Sequence, residues 1–163
     1  MRSTLAVSVA LAAATLWPGT ASAHQNMTDL TGKATATLGA TPFADATYGP
    51  GVVSGKAKLE QKDGQLTVQA EVQGLKPGTS HVGHLHFGNC TSLIPGEVVY
   101  HLTAVKIGQD GQGHSVTVIP DATRANLTAV QDCDLWVAFH EGPTNTNPPS
   151  PAAAVGPVLI KQA

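Results

Sequence analysis

The densest run of chemically useful side chains in this sequence is His81-Val82-Gly83-His84-Leu85-His86. Residues two apart on an extended strand share a face, so His84 and His86 are aimed together while His81 has the opposite parity. An imidazole pair held this way suits copper or zinc. The same pair on a strand also serves as an ordinary solvated face. A further histidine, His140, closes the alternating segment Leu135–His140 and is followed by Glu141. The chain has two cysteines, Cys90 and Cys133, and three other histidines, His24, His101 and His114.

The N-terminus bears on the chemistry of the cysteines. Arg2, an apolar run from Leu5 to Trp17, Pro18-Gly19 and the small triplet Ala21-Ser22-Ala23 have the layout of a secretory signal peptide cleaved after Ala23. Residues 1–23 are therefore expected to be removed and residues 24–163 to form one domain, secreted or periplasmic. In that oxidising setting Cys90 and Cys133 are expected to form one disulfide. No later segment is long and apolar enough for a membrane anchor. The formal net charge of −2 gives no basic stripe, and no nucleic-acid partner is expected. Nothing in the sequence sets an oligomeric state.

The elements that must carry these residues alternate with period two. Leu66, Val68, Ala70 and Val72 take one side, and Thr67, Gln69, Glu71 and Gln73 the other, as a half-buried strand requires. Comparable patterns lie around 33–38, 52–60, 98–107, 114–119, 135–140 and 155–161, with the histidine cluster itself on a strand. Lys62-Asp63-Gly64, Lys76-Pro77-Gly78 and Gln109-Asp110-Gly111 read as turns between them. Short, evenly spaced strands with no helical periodicity predict an all-β protein, an antiparallel sandwich or barrel of about eight strands. Residues 123–130 could form one helical turn or a short helix. Gly88–Gly96 and the proline-rich Glu141–Pro151 read as loops, each following a histidine of interest.

Taken together, these segments resemble the copper/zinc superoxide dismutase family. Gly74-Leu75-Lys76-Pro77-Gly78 followed by His81-Val82-Gly83-His84-Leu85-His86-Phe87-Gly88 is similar to that family's Gly-Leu-x-x-Gly and His-Gly-Phe-His-Val-His-Glu-Phe-Gly stretch, one residue shorter before Phe87. Asn89-Cys90-Thr91-Ser92 resembles the segment bearing a family disulfide cysteine, and Trp136-Val137-Ala138-Phe139-His140-Glu141 the late strand ending in His-Glu. The likeness spans roughly residues 33–161. It implies a superoxide dismutase-like Greek-key β-sandwich or barrel with His84, His86 and His140 as copper ligands and catalytic centre, and His81 as a structural brace. Glu141 or the backbone is expected to orient the ligand rings.

Departures from that family are as specific. After Cys90 the chain runs Thr91-Ser92-Leu93-Ile94-Pro95-Gly96-Glu97 with no histidine before His101. The bridging histidine and the zinc loop of the family are thus absent, and no zinc is expected. The family's channel arginine is also missing, since Lys161 is the only basic residue after Arg124, and electrostatic steering of superoxide should be weaker. Val155 stands where the family has its second cysteine, which leaves Cys133 to pair with Cys90. Seven residues separate Cys133 from His140, so alternation along one strand would put them on opposite faces. His101 could approach the vacated bridging position or simply face solvent, and His114 reads as a surface residue. His24, exposed by cleavage, could clasp copper through its amine and ring or merely follow the signal. Glu97, Asp132 and Asp134 read as solvated or supporting carboxylates. Two functions follow: a copper-only superoxide dismutase of reduced efficiency, with superoxide as partner, or a copper carrier without significant turnover, with the ion itself as partner.

Overall fold

The computed structural model of the chain describes residues 31–91, 96–142 and 150–161. The signal segment, the cleavage point, His24 and the middle portions of both expected loops lie outside the described residues. Within them the chain forms β1 (Gly32–Ala40), a short helix α1 (Pro42–Tyr48), β2 (Ser54–Lys62), β3 (Gln65–Gln73), β4 (Ser80–Phe87), β5 (Val98–Lys106), β6 (Gln112–Ile119), β7 (Leu135–His140) and β8 (Ala152–Lys161). A single turn of 3-10 helix at Thr123–Ala125 occupies part of the 123–130 segment.

All strand pairs are antiparallel, in the order β5-β4-β7-β8-β1-β2-β3-β6. The two end strands, β5 and β6, lie against one another and nearly close the sheet into a barrel. Between them the Thr103 amide donates to Thr117 Oγ1 at 2.7 Å. Strand β7 returns beside β4 rather than beside β6, which makes β4–β7 a Greek key. That return puts the His84 and His86 strand next to the His140 strand, in a register that pairs His84 with Ala138 and His86 with Trp136.

Alternation decides what fills the barrel. Ala34, Ala36 and Leu38 of β1, Leu59 of β2, Val68 of β3, Leu85 of β4 and Val137 and Phe139 of β7 all point inward and are buried. The tight β2–β3 hairpin is turned by Asp63 and Gly64, both at positive φ (50° and 80°), the geometry that Asp-Gly accommodates at least cost. Gly83, paired with both Leu102 and Phe139, sits where a Cβ would lie 2.6 Å from the Phe139 ring and 3.0 Å from Leu102 Cβ. The missing side chain is what lets the Phe139 ring pack against β4 between the two histidine positions.

Two boundaries differ from the sequence pattern. β8 begins at Ala152, three residues earlier than Val155, because pairing with His140 extends it back to the last proline of the loop. Helix α1 has no counterpart in the strand pattern. Thr41 caps it, accepting from the Ala44 amide at 3.2 Å, and Pro42 occupies the first turn, both ordinary start signals.

Gly83→Ala is expected to destabilise the metal-free protein by about 1–3 kcal/mol through overpacking against Phe139. A urea midpoint unchanged from the parent would show that Phe139 has room to move.

Candidate metal centre

Strands β4 and β7 bring three imidazoles together on the outer side of the barrel. Parity puts His84 and His86 of β4 on the face opposite Leu85, and His140 of β7 on the face opposite Phe139. The opposing neighbour of His84 on β7 is the small Ala138, so the His140 ring, two residues on, can lean diagonally towards it. Ring centroids are 4.8 Å apart for His84 and His140, 5.4 Å for His84 and His86, and 5.7 Å for His86 and His140. One ligand atom from each of the three lies within 4.8 Å of the others. Nitrogens bound to one small divalent ion sit about 2.0–2.1 Å from it, so a modest inward rotation of the rings completes a three-nitrogen cradle.

Outward-facing does not mean wet. His84, His86 and His140 are only 3%, 5% and 6% exposed. The His86 Nδ1–H donates to the Gly96 carbonyl at 2.8 Å and the His140 Nδ1–H to the Ser150 carbonyl at 2.7 Å. Those bonds leave the lone pairs on the Nε2 atoms, and both Nε2 atoms are buried without a hydrogen-bond partner. A buried acceptor left unmatched costs about 1–3 kcal/mol, and such groups in a native structure call for an explanation, an ion among them. The residues fit a metal: three imidazoles whose ligand atoms converge, two of them with Nδ1–H bonded to a carbonyl and Nε2 left as an acceptor. Burial is the main reason the His86 pKa lies below its ordinary value, with the neighbouring His140 and His101 adding to it and the Gly96 carbonyl opposing it. The deprotonated form is the one that binds metal.

His81 behaves differently. Its side chain points into the barrel, wholly buried, with Nδ1–H donating to the His140 carbonyl at 3.0 Å and Nε2 lying 2.8 Å from Thr79 Oγ1. It ties β4 to the end of β7 and takes no place in the cradle. Glu141 sits beside it, one carboxylate oxygen 4.0 Å from His81 Nδ1 and the other accepting from the Tyr48 hydroxyl at 2.7 Å. Burial and that carboxylate push the Tyr48 pKa up to about 12. The acceptors for the two ligand rings are therefore backbone carbonyls, while Glu141 braces His81 and helix α1. Tyr48 escaped the strand-based reading; the Thr41-Pro42 start of its helix was the available signal.

Loop anchoring accounts for the carbonyls. The Gly96 amide donates to the Phe87 carbonyl at 2.7 Å and the Phe87 amide to the Glu97 carbonyl at 2.9 Å. The Cys90–Cys133 disulfide, with Cα atoms 5.0 Å apart, fastens the same loop to the approach to β7. On the other side, the Ser150 hydroxyl donates to the Glu141 carbonyl, and the Glu141 amide to the Pro151 carbonyl at 2.9 Å. The alternation expected between Cys133 and His140 does not apply. Cys133 lies in the turn before β7, at φ 67°, and a residue off the strand carries no strand parity.

The remaining candidates fall into place around this centre. His101 of β5 stands directly opposite His84 in register, with ring centroids 4.9 Å apart, and is exposed. It is not among the three whose ligand atoms converge. His114 is exposed on β6, facing Glu71 of β3. Glu97 is ion-paired with Arg124 at 2.8 Å, Asp132 accepts from the Ile160 amide and Asp134 from the Gln131 amide. These carboxylates pin loops and chain ends. Among the described residues no helix is long and apolar enough to cross a membrane, and the disulfide is compatible with an extracellular setting.

No protein-family profile and no curated protein matches this chain.

Two outcomes follow from the anchoring. Because the folded state holds His86 below its ordinary pKa, the unfolded chain binds more protons. Its contribution to the stability of the metal-free protein is therefore complete above about pH 6.5 and lost as pH falls through the folded value. Urea melts between pH 7.5 and 5.0 should show this decline, and His86→Gln should flatten it; an equal decline in the variant would assign it elsewhere. Cys133→Ser should cost about 2–5 kcal/mol by releasing a 43-residue separation, and a melting temperature equal to the parent's would refute the bridge as a staple.

Proposed function

We propose that this chain is an exported copper protein of the copper/zinc superoxide dismutase kind, with a copper-only site that dismutates superoxide to oxygen and hydrogen peroxide. The observation that carries the reading is the pair of buried, unmatched Nε2 lone pairs on His86 and His140, converging with His84. An all-imidazole set suits copper, and Cu(II) stands highest among divalent ions for such donors. The resemblance of the segments around His84, His86 and His140 to that family supports copper over other ions, as does their arrival on adjacent Greek-key strands. The signal-like N-terminus and the disulfide support export.

What copper supplies when bound is a one-electron couple, able to take an electron from one superoxide and give it to the next. The chain's own part is positional. The Gly96 and Ser150 carbonyls hold the protons of His86 and His140 on Nδ1, so that Nε2 stays available in either oxidation state. His81 and Glu141 keep the end of β7 against β4, which fixes where the His140 ring stands. The low exposure of all three rings keeps bulk solvent off them.

A second reading, copper carriage without significant turnover, is favoured by one observation. Arg124 is engaged with Glu97 and lies over the Phe87 ring, 5.6 Å from its centroid, and no other arginine is among the described residues.

The deciding experiment loads the protein with copper, counts bound ions per chain and follows superoxide disappearance against an equal amount of free copper. One ion per chain is expected, with a rate above the free-copper background, and His140→Ala should weaken copper binding by more than about a hundredfold and abolish the excess rate. Tight copper with no excess rate would leave the carrier; no copper uptake would end both readings.

A further inference from the structure

We infer that His101 is a copper-capture ligand: an outer imidazole that, with His84, first holds the incoming ion and passes it to the buried set of His84, His86 and His140. The inference rests on the copper reading of that set.

The geometry has two tiers that share one residue. The inner tier is three imidazoles that are almost wholly buried. A hydrated cupric ion must lose most of its waters to enter it. Beside this tier, on the next strand, stands an exposed histidine whose ring is 4.9 Å from that of His84, a spacing within the range found in the inner set, 4.8 to 5.7 Å. The register makes this exact neighbour unavoidable, since His84 pairs with His101 across β4 and β5. His84 is thus flanked by an exposed imidazole on one side and by the His140 strand on the other. An ion held between His101 and His84 exchanges its waters for imidazole in steps, which avoids stripping it in one.

His101 does not belong to the final site, because its ligand atom does not join the group that converges. A residue absent from both the empty and the fully loaded states alters the path between them and not the balance. The equilibrium constant is the ratio of the two rates, so loss of such a ligand must slow uptake and release by the same factor. That signature separates capture from a fourth ligand, which would change affinity, and from a surface histidine, which would change nothing.

The test mixes the metal-free chain with the cupric glycine chelate in a stopped-flow instrument and follows the visible copper absorption. Release is measured against excess chelator, and affinity by competition at equilibrium. His101→Ala and His101→Gln are compared with the parent, with His114→Ala as the control for an exposed histidine on another strand. Both His101 variants should load and release copper more slowly by a matching factor of about tenfold or more, with equilibrium affinity and the electron paramagnetic resonance spectrum unchanged. His114→Ala should load at the parental rate. Weakened affinity with an altered spectrum would make His101 a ligand of the loaded site and overturn the inference. Parental rates in both His101 variants, or equal slowing in His114→Ala, would also overturn it. A parent chain that takes up no copper would instead remove the site reading beneath it.

Discussion

An imidazole carried out of water brings two nitrogens with it, and a neutral ring can satisfy them only as one donor and one acceptor. In this barrel that constraint is met in two ways. His81 finds partners for both nitrogens, Thr79 and the His140 carbonyl, and is wholly buried as a brace. His86 and His140 find partners only for their donors, and their acceptors are left facing a common space. What sets His86 and His140 apart from His81 is therefore not burial, which all share, but which nitrogen the surrounding backbone has left unanswered. Two unmatched lone pairs oppose folding on their own, so the rest of the fold has to hold them in place.

It does so by fixing carbonyls. The Gly96 carbonyl is presented by a loop that is hydrogen-bonded at its base to Phe87 and crosslinked near its start by Cys90. The Ser150 carbonyl is presented by a loop whose return is hydrogen-bonded to Glu141. Glu141 in turn holds the Tyr48 hydroxyl of helix α1 and lies beside His81. The helix, the disulfide and the two loops thus converge on the same task. The His86 and His140 rings are each oriented by a main-chain atom, whose position depends on packing and cannot swing away as a side-chain carboxylate could.

The strands were legible in the sequence because each buries one face only, and period-two alternation is a direct record of that. The cradle was partly legible for the same reason: parity separates His81 from His84 and His86. What alternation cannot carry is information across the chain. The convergence of His140 with the first pair came from resemblance, since strand pairing between β4 and β7 joins residues about fifty positions apart and leaves no local mark. Parity also failed for Cys133, which lies just off the strand, and says nothing of the seven-residue helix α1, whose start signal Thr41-Pro42 is local while the partner of its Tyr48, Glu141, is distant. The carbonyl acceptors were invisible for a plainer reason: every residue has a carbonyl, and only the fold decides which one arrives.

Sheet geometry also sets how crowded the site can be. His84 has a histidine opposite it on β5 and an alanine opposite it on β7. Ala138 is fully buried and carries only a methyl group, so it takes up little of the space beside His84 on that side. A leucine or valine at 138 would point to the same outer face and fill the ground into which His140 leans. The alternation that sends Phe139 into the core therefore constrains its two neighbours oppositely: 138 must stay small so that 140 can reach. Core packing and ligand convergence are set on one six-residue strand by the same two-residue period, and a shift of register by one position would bury His140 in the core and present Phe139 to the imidazoles of β4.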